Sequence, residues 1–173
     1  MTRTITLPFT KEVIQEIRIW DQLLLNGKIL VGRDQVHRRI DSLTLKGEQL
    51  PVDLDGSALY YMGPARARTG DVIGSCGPTT SARMDPFTPL ILSLGVKALI
   101  GKGPRNEQVV RSVAEHGALY LSAFGGCGAL YADRVLSTKV LAFDDLGPEA
   151  LQELEVVDFP VIVAIDSLGN TIF

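Results

Sequence analysis

Cysteine and histidine are scarce in this chain, and their scarcity excludes more than any single motif does. Only Cys76, Cys127, His37 and His116 occur among its 173 residues. Two thiols so far apart predict free cysteines rather than a disulfide framework. A cysteine-ligated iron–sulfur cluster needs about four thiolates, or about three with an open iron, so the chain is not expected to hold one unaided. Without a close cysteine pair a structural zinc site is not expected either, and no metal ligands are assigned. Positive charge is also short: the net charge is -3 and the pI near 5.4. Nucleic-acid binding normally needs a basic face, and Arg38-Arg39 or Arg66 with Arg68 are too brief to make one. No stretch reaches the roughly 18 to 20 apolar residues of a membrane helix, and the polar start Met1-Thr-Arg-Thr lacks a secretory apolar core. The expectation is a cytoplasmic protein with no membrane or nucleic-acid partner.

Repeats, low-complexity runs and long linkers are absent too. With 46% hydrophobic and 21% charged residues, residues 1–173 read as one domain able to bury a core. Thr4-Ile-Thr-Leu alternates as a strand, and the apolar runs of Gln22 to Val31, set around Asn26-Gly27, predict a hairpin. Arg33 to Ile40 suggests a short helix with Asp34 near its positive end. Leu59-Tyr-Tyr-Met, Val72-Ile and Ala98-Leu-Ile read as further strands. Asn106 to His116 places Val109, Val110 and Val113 on one helical face, and Gly117 ends it. Ala118 to Leu121, Val135 to Phe143 and Val161 to Ile165 are strand candidates, and Pro148 to Leu154 reads as a helix with proline in its first turn. The alternation predicts an α/β fold with helices on a largely parallel sheet.

The densest chemistry lies in Gly77-Pro-Thr-Thr-Ser-Ala-Arg83-Met-Asp85. Read as a strand-to-helix junction, it suits a negative oxygen group, because free backbone N–H groups and Arg83 converge there. The same hydroxyls of Thr79, Thr80 and Ser81 would equally serve as helix caps. Arg33 either clamps a carboxylate or pairs with Asp34. His37, one helical turn on, reads as a satisfied structural histidine rather than a base. Lys102 in Gly101-Lys102-Gly103 is either a ligand-facing cation or part of a solvated turn. Gly125-Gly-Cys-Gly128 marks close helix packing, with Cys127, like Cys76, a small apolar filler. Neither a Walker pattern nor a Gly-x-Gly-x-x-Gly fingerprint is present.

Taken in order, Gly32-Arg33-Asp34 with His37, Tyr60-Tyr-Met-Gly-Pro64, Gly74-Ser-Cys-Gly-Pro-Thr-Thr-Ser-Ala-Arg-Met-Asp85, Ile100-Gly-Lys-Gly103, Gly125-Gly126 and Phe159-Pro-Val-Ile-Val with Asp166 and Gly169-Asn170 resemble the carboxy-terminal domain, or separate β subunit, of class I iron–sulfur fumarases and tartrate dehydratases. The resemblance spans nearly the whole chain. It implies a three-layer β/β/α swivelling-domain fold and the reversible hydration of fumarate to (S)-malate. It implies a four-iron four-sulfur cluster held by an α subunit that this chain lacks, so that the chain would be half an enzyme. It also implies that Arg33, Arg83 and Lys102 bind the dicarboxylate and that Thr79 transfers a proton, activated by an acid of the partner. His37, Thr80 and Asp85 would support them, Asp85 either orienting Arg83 or capping its helix. The implied assembly is a homodimer or two copies of each subunit. A tartrate dehydratase β subunit and a stand-alone small-anion-binding module are the alternative readings.

Overall fold

The computed structural model describes residues 2–173. Five strands run parallel in the order β1 (Thr2–Thr6), β2 (Gln22–Val31), β3 (Ala58–Tyr60), β4 (Ala98–Gly101) and β5 (Leu119–Ser122). The long β7 (Leu151–Ile165) then lies antiparallel to β5 and also to β2, closing β2, β3, β4, β5 and β7 into a small barrel. β6 (Val135–Ala142) adds to β7 alone. Helices α1 (Lys11–Glu16), α2 (Asp34–Leu45), α3 (Thr88–Ser93), α4 (Glu107–Glu115) and α5 (Gly128–Ala132) occupy the connections. None is long and apolar enough to cross a membrane.

Closure explains why β3, β4 and β5 are apolar on both faces. Ala58, Tyr60, Ala98, Ile100, Leu119 and Leu121 belong to the cluster that fills the barrel, with Leu23, Leu25, Phe159 and Val163 from β2 and β7. The intervening Leu59, Leu99 and Tyr120 turn outward against Val36 and Ile40 of α2, Ile91 and Leu92 of α3, and Val109 and Val113 of α4. Period-two alternation thus feeds two cores, one between the barrel walls and one beneath the helices. The result is the α/β, three-layer β/β/α architecture of the swivelling-domain type.

Three local expectations are corrected. Gln22–Val31 is one strand, not a hairpin, because both of its apolar runs pair with β7 and Asn26-Gly27 forms a bulge between them. Gly27 takes φ +118° there, and the Asn26 side-chain oxygen accepts the Asp158 N–H at 3.0 Å. Pro148–Leu154 is not a helix: a 3-10 segment, Asp144–Glu149, gives way to β7, whose first residues are flanked by β2 and β6. Pairing on both sides outweighs the helical propensity of Glu-Ala-Leu-Gln-Glu-Leu. Val72-Ile73 is no strand, and the loop between β3 and the next helix folds on itself, with the Ala65 N–H bonded to the Ser75 carbonyl at 2.9 Å.

Candidate functional site

In a sheet of parallel strands the carboxyl ends share one rim, and loops leaving that rim converge on whatever binds there. Arg33 follows β2, Gly63 follows β3, Lys102 follows β4 and Gly125 follows β5. The segment Thr79–Ser81 is threaded into the same rim. The Thr79 N–H bonds to the Tyr61 carbonyl at 2.8 Å, Thr80 pairs with Lys102 as an isolated parallel bridge, and the Ser81 N–H bonds to the Lys102 carbonyl at 3.0 Å. Thr79 is thereby fixed between the ends of β3 and β4.

Arg33 meets Thr79 across the rim, its Nη1 lying 3.5 Å from the threonine hydroxyl. Its Nε donates to one oxygen of Glu149 at 2.7 Å, and the same oxygen lies 2.7 Å from Nη2 as an ion-pair contact. The guanidinium fits only because residue 63 has no side chain: a Cβ there would stand 2.6 Å from the arginine Cζ. Arg83 donates through Nε and Nη2 to the two carboxylate oxygens of Asp34, at 3.2 and 2.9 Å. Partial burial raises the Asp34 pKa, but the hydrogen bond from Arg83, the backbone at the start of α2 and the charges of Arg83 and Arg33 outweigh it and hold the carboxyl below its ordinary value. The Lys102 side chain lies over Gly125, its Nζ 3.8 Å from where a Cβ would stand, and pairs with no carboxylate among the described residues.

Several sequence readings resolve at this point. Arg33 does not pair with Asp34; Glu149 takes that role and Asp34 serves Arg83. Thr80 precedes a seven-residue 3-10 helix, Ser81–Phe87, yet makes no side-chain cap bond, and the Ser81 hydroxyl is spent on Tyr120 at 2.9 Å. The capping reading therefore fails for both. So does the picture of an ordinary helix start: a tight, short 3-10 segment lacks the aligned α-helical N–H groups of a dipole site, and the side-chain cations carry the positive charge.

Asp85 does not orient Arg83. It turns inward to the buried Arg105, accepting from Nε at 2.6 Å and from the Asn106 N–H at 2.9 Å. Arg105 lies over the rings of Tyr61 and Tyr120, 5.4 and 4.9 Å from their centroids, and also donates to the Thr88 hydroxyl at 2.7 Å. His37 is fully buried beside Tyr61 and Phe87. Its Nδ1–H donates to the Arg33 carbonyl at 2.7 Å, which assigns the tautomer, because a carbonyl can only accept. Burial pushes its pKa down to about 4, with the hydrogen bond to Arg33 opposing and the charge of Arg105 assisting. His37 therefore props Arg33 from behind as a neutral ring. Cys76 is buried, which pushes its thiol up to about 11.

Nothing in the sequence marks Glu149, which falls in the helix-like run Pro148–Leu154 and lies 116 residues from Arg33. Gly63 carried a signal, the Tyr-Tyr-Met-Gly-Pro run, but not the reason for it. A cavity of about 640 Å³ between the 65–75 loop and α5 includes none of Arg33, Thr79, Arg83 and Lys102, which stand on the open rim instead.

The fold and this rim define a class: an α/β barrel domain that presents two arginines, a lysine and a threonine where parallel strands end. Residues 2–173 match the family described as Fumarase C-terminus, and the chain belongs to that family. It is similar to a protein of Methanocaldococcus jannaschii provisionally named an L(+)-tartrate dehydratase subunit beta, 41% identical over 170 residues that cover 95% of this chain and 87% of that protein. It is also 36% identical to the anaerobic class I fumarate hydratase of Escherichia coli K12, over 94% of this chain but 31% of that protein. Fumarate hydratase 2 of Leishmania major is 36% identical over 94% of this chain and 29% of its own length. The chain thus spans nearly all of the archaeal relative and less than a third of the two fumarate hydratases.

Proposed function

We propose that this chain is the β subunit of a two-part hydro-lyase, binding a four-carbon dicarboxylate and serving its carbon with a proton in the interconversion of fumarate and (S)-malate. The observation that carries this reading is the meeting of Arg33 with Thr79 on a rim that Arg83 and Lys102 share, in a chain of the fumarase family. Three cations suit a dianion and the further charge that spreads onto one carboxylate as the adjacent carbon loses its proton. Thr79 is the proton-transfer group. A guanidinium beside its hydroxyl favours the ionised form, easing a deprotonation that a lone threonine resists. An acidic group of the partner completes the activation.

The residues present do not fit a four-iron four-sulfur cluster. The donor set holds two cysteines, one buried with a raised pKa, and no group of three or more His, Cys, Asp or Glu among the described residues is arranged to hold a metal. On this reading the cluster is held by an α subunit. Two copies of each subunit form the proposed assembly. L(+)-tartrate is the second candidate substrate, favoured by the name of the 41% identical archaeal relative.

The test is anaerobic co-expression with a cluster-bearing partner, followed by assays of fumarate, malate and tartrate. The complex is expected to hydrate fumarate, and Thr79→Ala is expected to lower kcat by about 100- to 10,000-fold with little change in KM. Wild-type turnover in the Thr79→Ala complex would remove the threonine from the mechanism. Turnover of tartrate alone would transfer the reading to the dehydratase, and dicarboxylate binding with no turnover in any assay would leave an anion-binding module.

A further inference from the structure

A guanidinium has two usable edges: the side edge formed by Nε–H and one Nη2–H, and the end edge formed by Nη1–H and the other Nη2–H. Both arginines of the rim are held by the same edge. One oxygen of Glu149 accepts from Nε of Arg33 and lies 2.7 Å from its Nη2, and the two oxygens of Asp34 accept from Nε and Nη2 of Arg83. In each case an acid of this chain takes the side edge. The end edge of Arg33 is turned toward the Thr79 hydroxyl, with Nη1 at 3.5 Å, and that of Arg83 makes no hydrogen bond to another side chain among the described residues.

Two acids beside two substrate-binding cations look counterproductive, since each cancels charge that a dicarboxylate would use. Orientation resolves the conflict. A free arginine side chain samples many rotamers, and binding a carboxylate through a defined edge requires that freedom to be lost. Pairing within the chain removes it in advance, and Gly63 leaves the Arg33 guanidinium the space to lie flat in the rim. The acids come from unrelated elements, Asp34 from the first residue of α2 and Glu149 from the 3-10 segment before β7. The shared geometry therefore does not follow from a local sequence pattern.

We propose that Glu149 and Asp34 are positioning residues for dicarboxylate recognition, each locking one arginine by its side edge so that the end edge is presented to a substrate carboxylate. This rests on the hydro-lyase reading above. Glu149 sets Arg33 against Thr79, where the carboxylate must lie if the threonine is to reach the adjacent carbon. Asp34 sets Arg83 for the other carboxylate.

The test is a double-mutant cycle in the co-expressed, cluster-loaded complex. Glu149→Gln and Asp34→Asn preserve shape and remove charge at side chains that are 30% and 29% exposed. Each is expected to lower kcat/KM for the substrate that the wild type turns over by about 10- to 100-fold, the scale of a small misplacement at a reacting centre. In an Arg33→Lys background, which has no fork to orient, Glu149→Gln is expected to add less than about twofold, because the two residues act as one unit. A purely structural glutamate would instead add its full loss in both backgrounds. A competitor for substrate would, on Glu149→Gln, lower KM with kcat intact. Either pattern, or wild-type kcat/KM in both amide variants, overturns the proposal while leaving the hydro-lyase reading in place. A wild-type complex inactive on every dicarboxylate removes both. Should the Glu149 variant fail to assemble, Asp34→Asn with Arg83→Lys carries the same cycle from a different element.

Discussion

His37 offers a stability test that is independent of catalysis. Its ring is wholly buried, packed edge-on to Tyr61 at 5.4 Å and near Phe87 at 5.9 Å, with the buried Arg105 adding a like charge to any imidazolium. The folded-state pKa is about 4 against an ordinary 6.5. The lowered value means that the fold prefers the neutral ring, while the unfolded chain takes up the proton at a higher pH. Stability from this residue is therefore complete above about 6.5, declines as pH falls from there toward about 4, and is flat below. The difference between the two values, at 1.36 kcal/mol for each pH unit, amounts to about 3 kcal/mol, of which about 2 kcal/mol is lost by pH 5. Urea unfolding at pH 8 and pH 5, for the wild-type chain and for His37→Gln, measures this directly. Carboxylates that titrate over the same range contribute to both proteins and cancel in the comparison. The wild type is expected to lose about 2 kcal/mol more than the variant between the two pH values. Equal losses would show that the ring is protonated in the fold or is reached by water, and would refute the argument from burial.

Two further substitutions separate site geometry from stability. Gly63→Ala places a Cβ 2.6 Å from the Arg33 Cζ. The obstructed group is the end of a flexible side chain, so thermal unfolding is expected to move little while kcat/KM in the assembled complex falls by about 10- to 100-fold; unchanged kinetics would show that Arg33 need not lie where it does. Asp85→Ala strips the carboxylate from Arg105, whose side chain is fully buried, and is expected to cost about 3 to 5 kcal/mol by urea unfolding, the price of a buried ion left unpaired. A loss below about 1 kcal/mol would mean that the two tyrosine rings alone hold the guanidinium.

Much of the fold was legible because period-two and helical patterns follow from local burial. Ala98 to Ile100, Ala118 to Leu121 and the Val109/Val113 face of α4 read correctly for that reason. The failures share a different cause. Asn26-Gly27 carries hairpin chemistry and Pro148 to Leu154 carries helix chemistry, yet each is overridden by pairing with a segment more than a hundred residues away. A local pattern cannot register a neighbour that only barrel closure supplies. The candidate residues Arg33, Thr79, Arg83 and Lys102 are legible from motif chemistry and resemblance, because cations and hydroxyls beside glycine turns advertise themselves. Their partners are not. Asp34, one residue from Arg33, and Asp85, two residues from Arg83, are the partners that sequence proximity offers, and neither pairing forms because side chains one or two positions apart leave the backbone in different directions.

Glu149 shows how the closed barrel supplies what local sequence cannot. In the antiparallel register of β2 with β7, Val31 faces Gln152. Arg33 lies two residues past Val31 and Glu149 three before Gln152, so both emerge from the same end of that strand pair, and the side chains meet at 2.7 Å. A slip of one residue in the register would turn every β7 side chain to the opposite face, taking Leu154, Val156 and Phe159 out of the core cluster that they fill. The orientation of Arg33 is thus set by the same hydrophobic alternation that closes the barrel. Arg33 is thereby tied to the strand pair itself and not only to the loop that carries it.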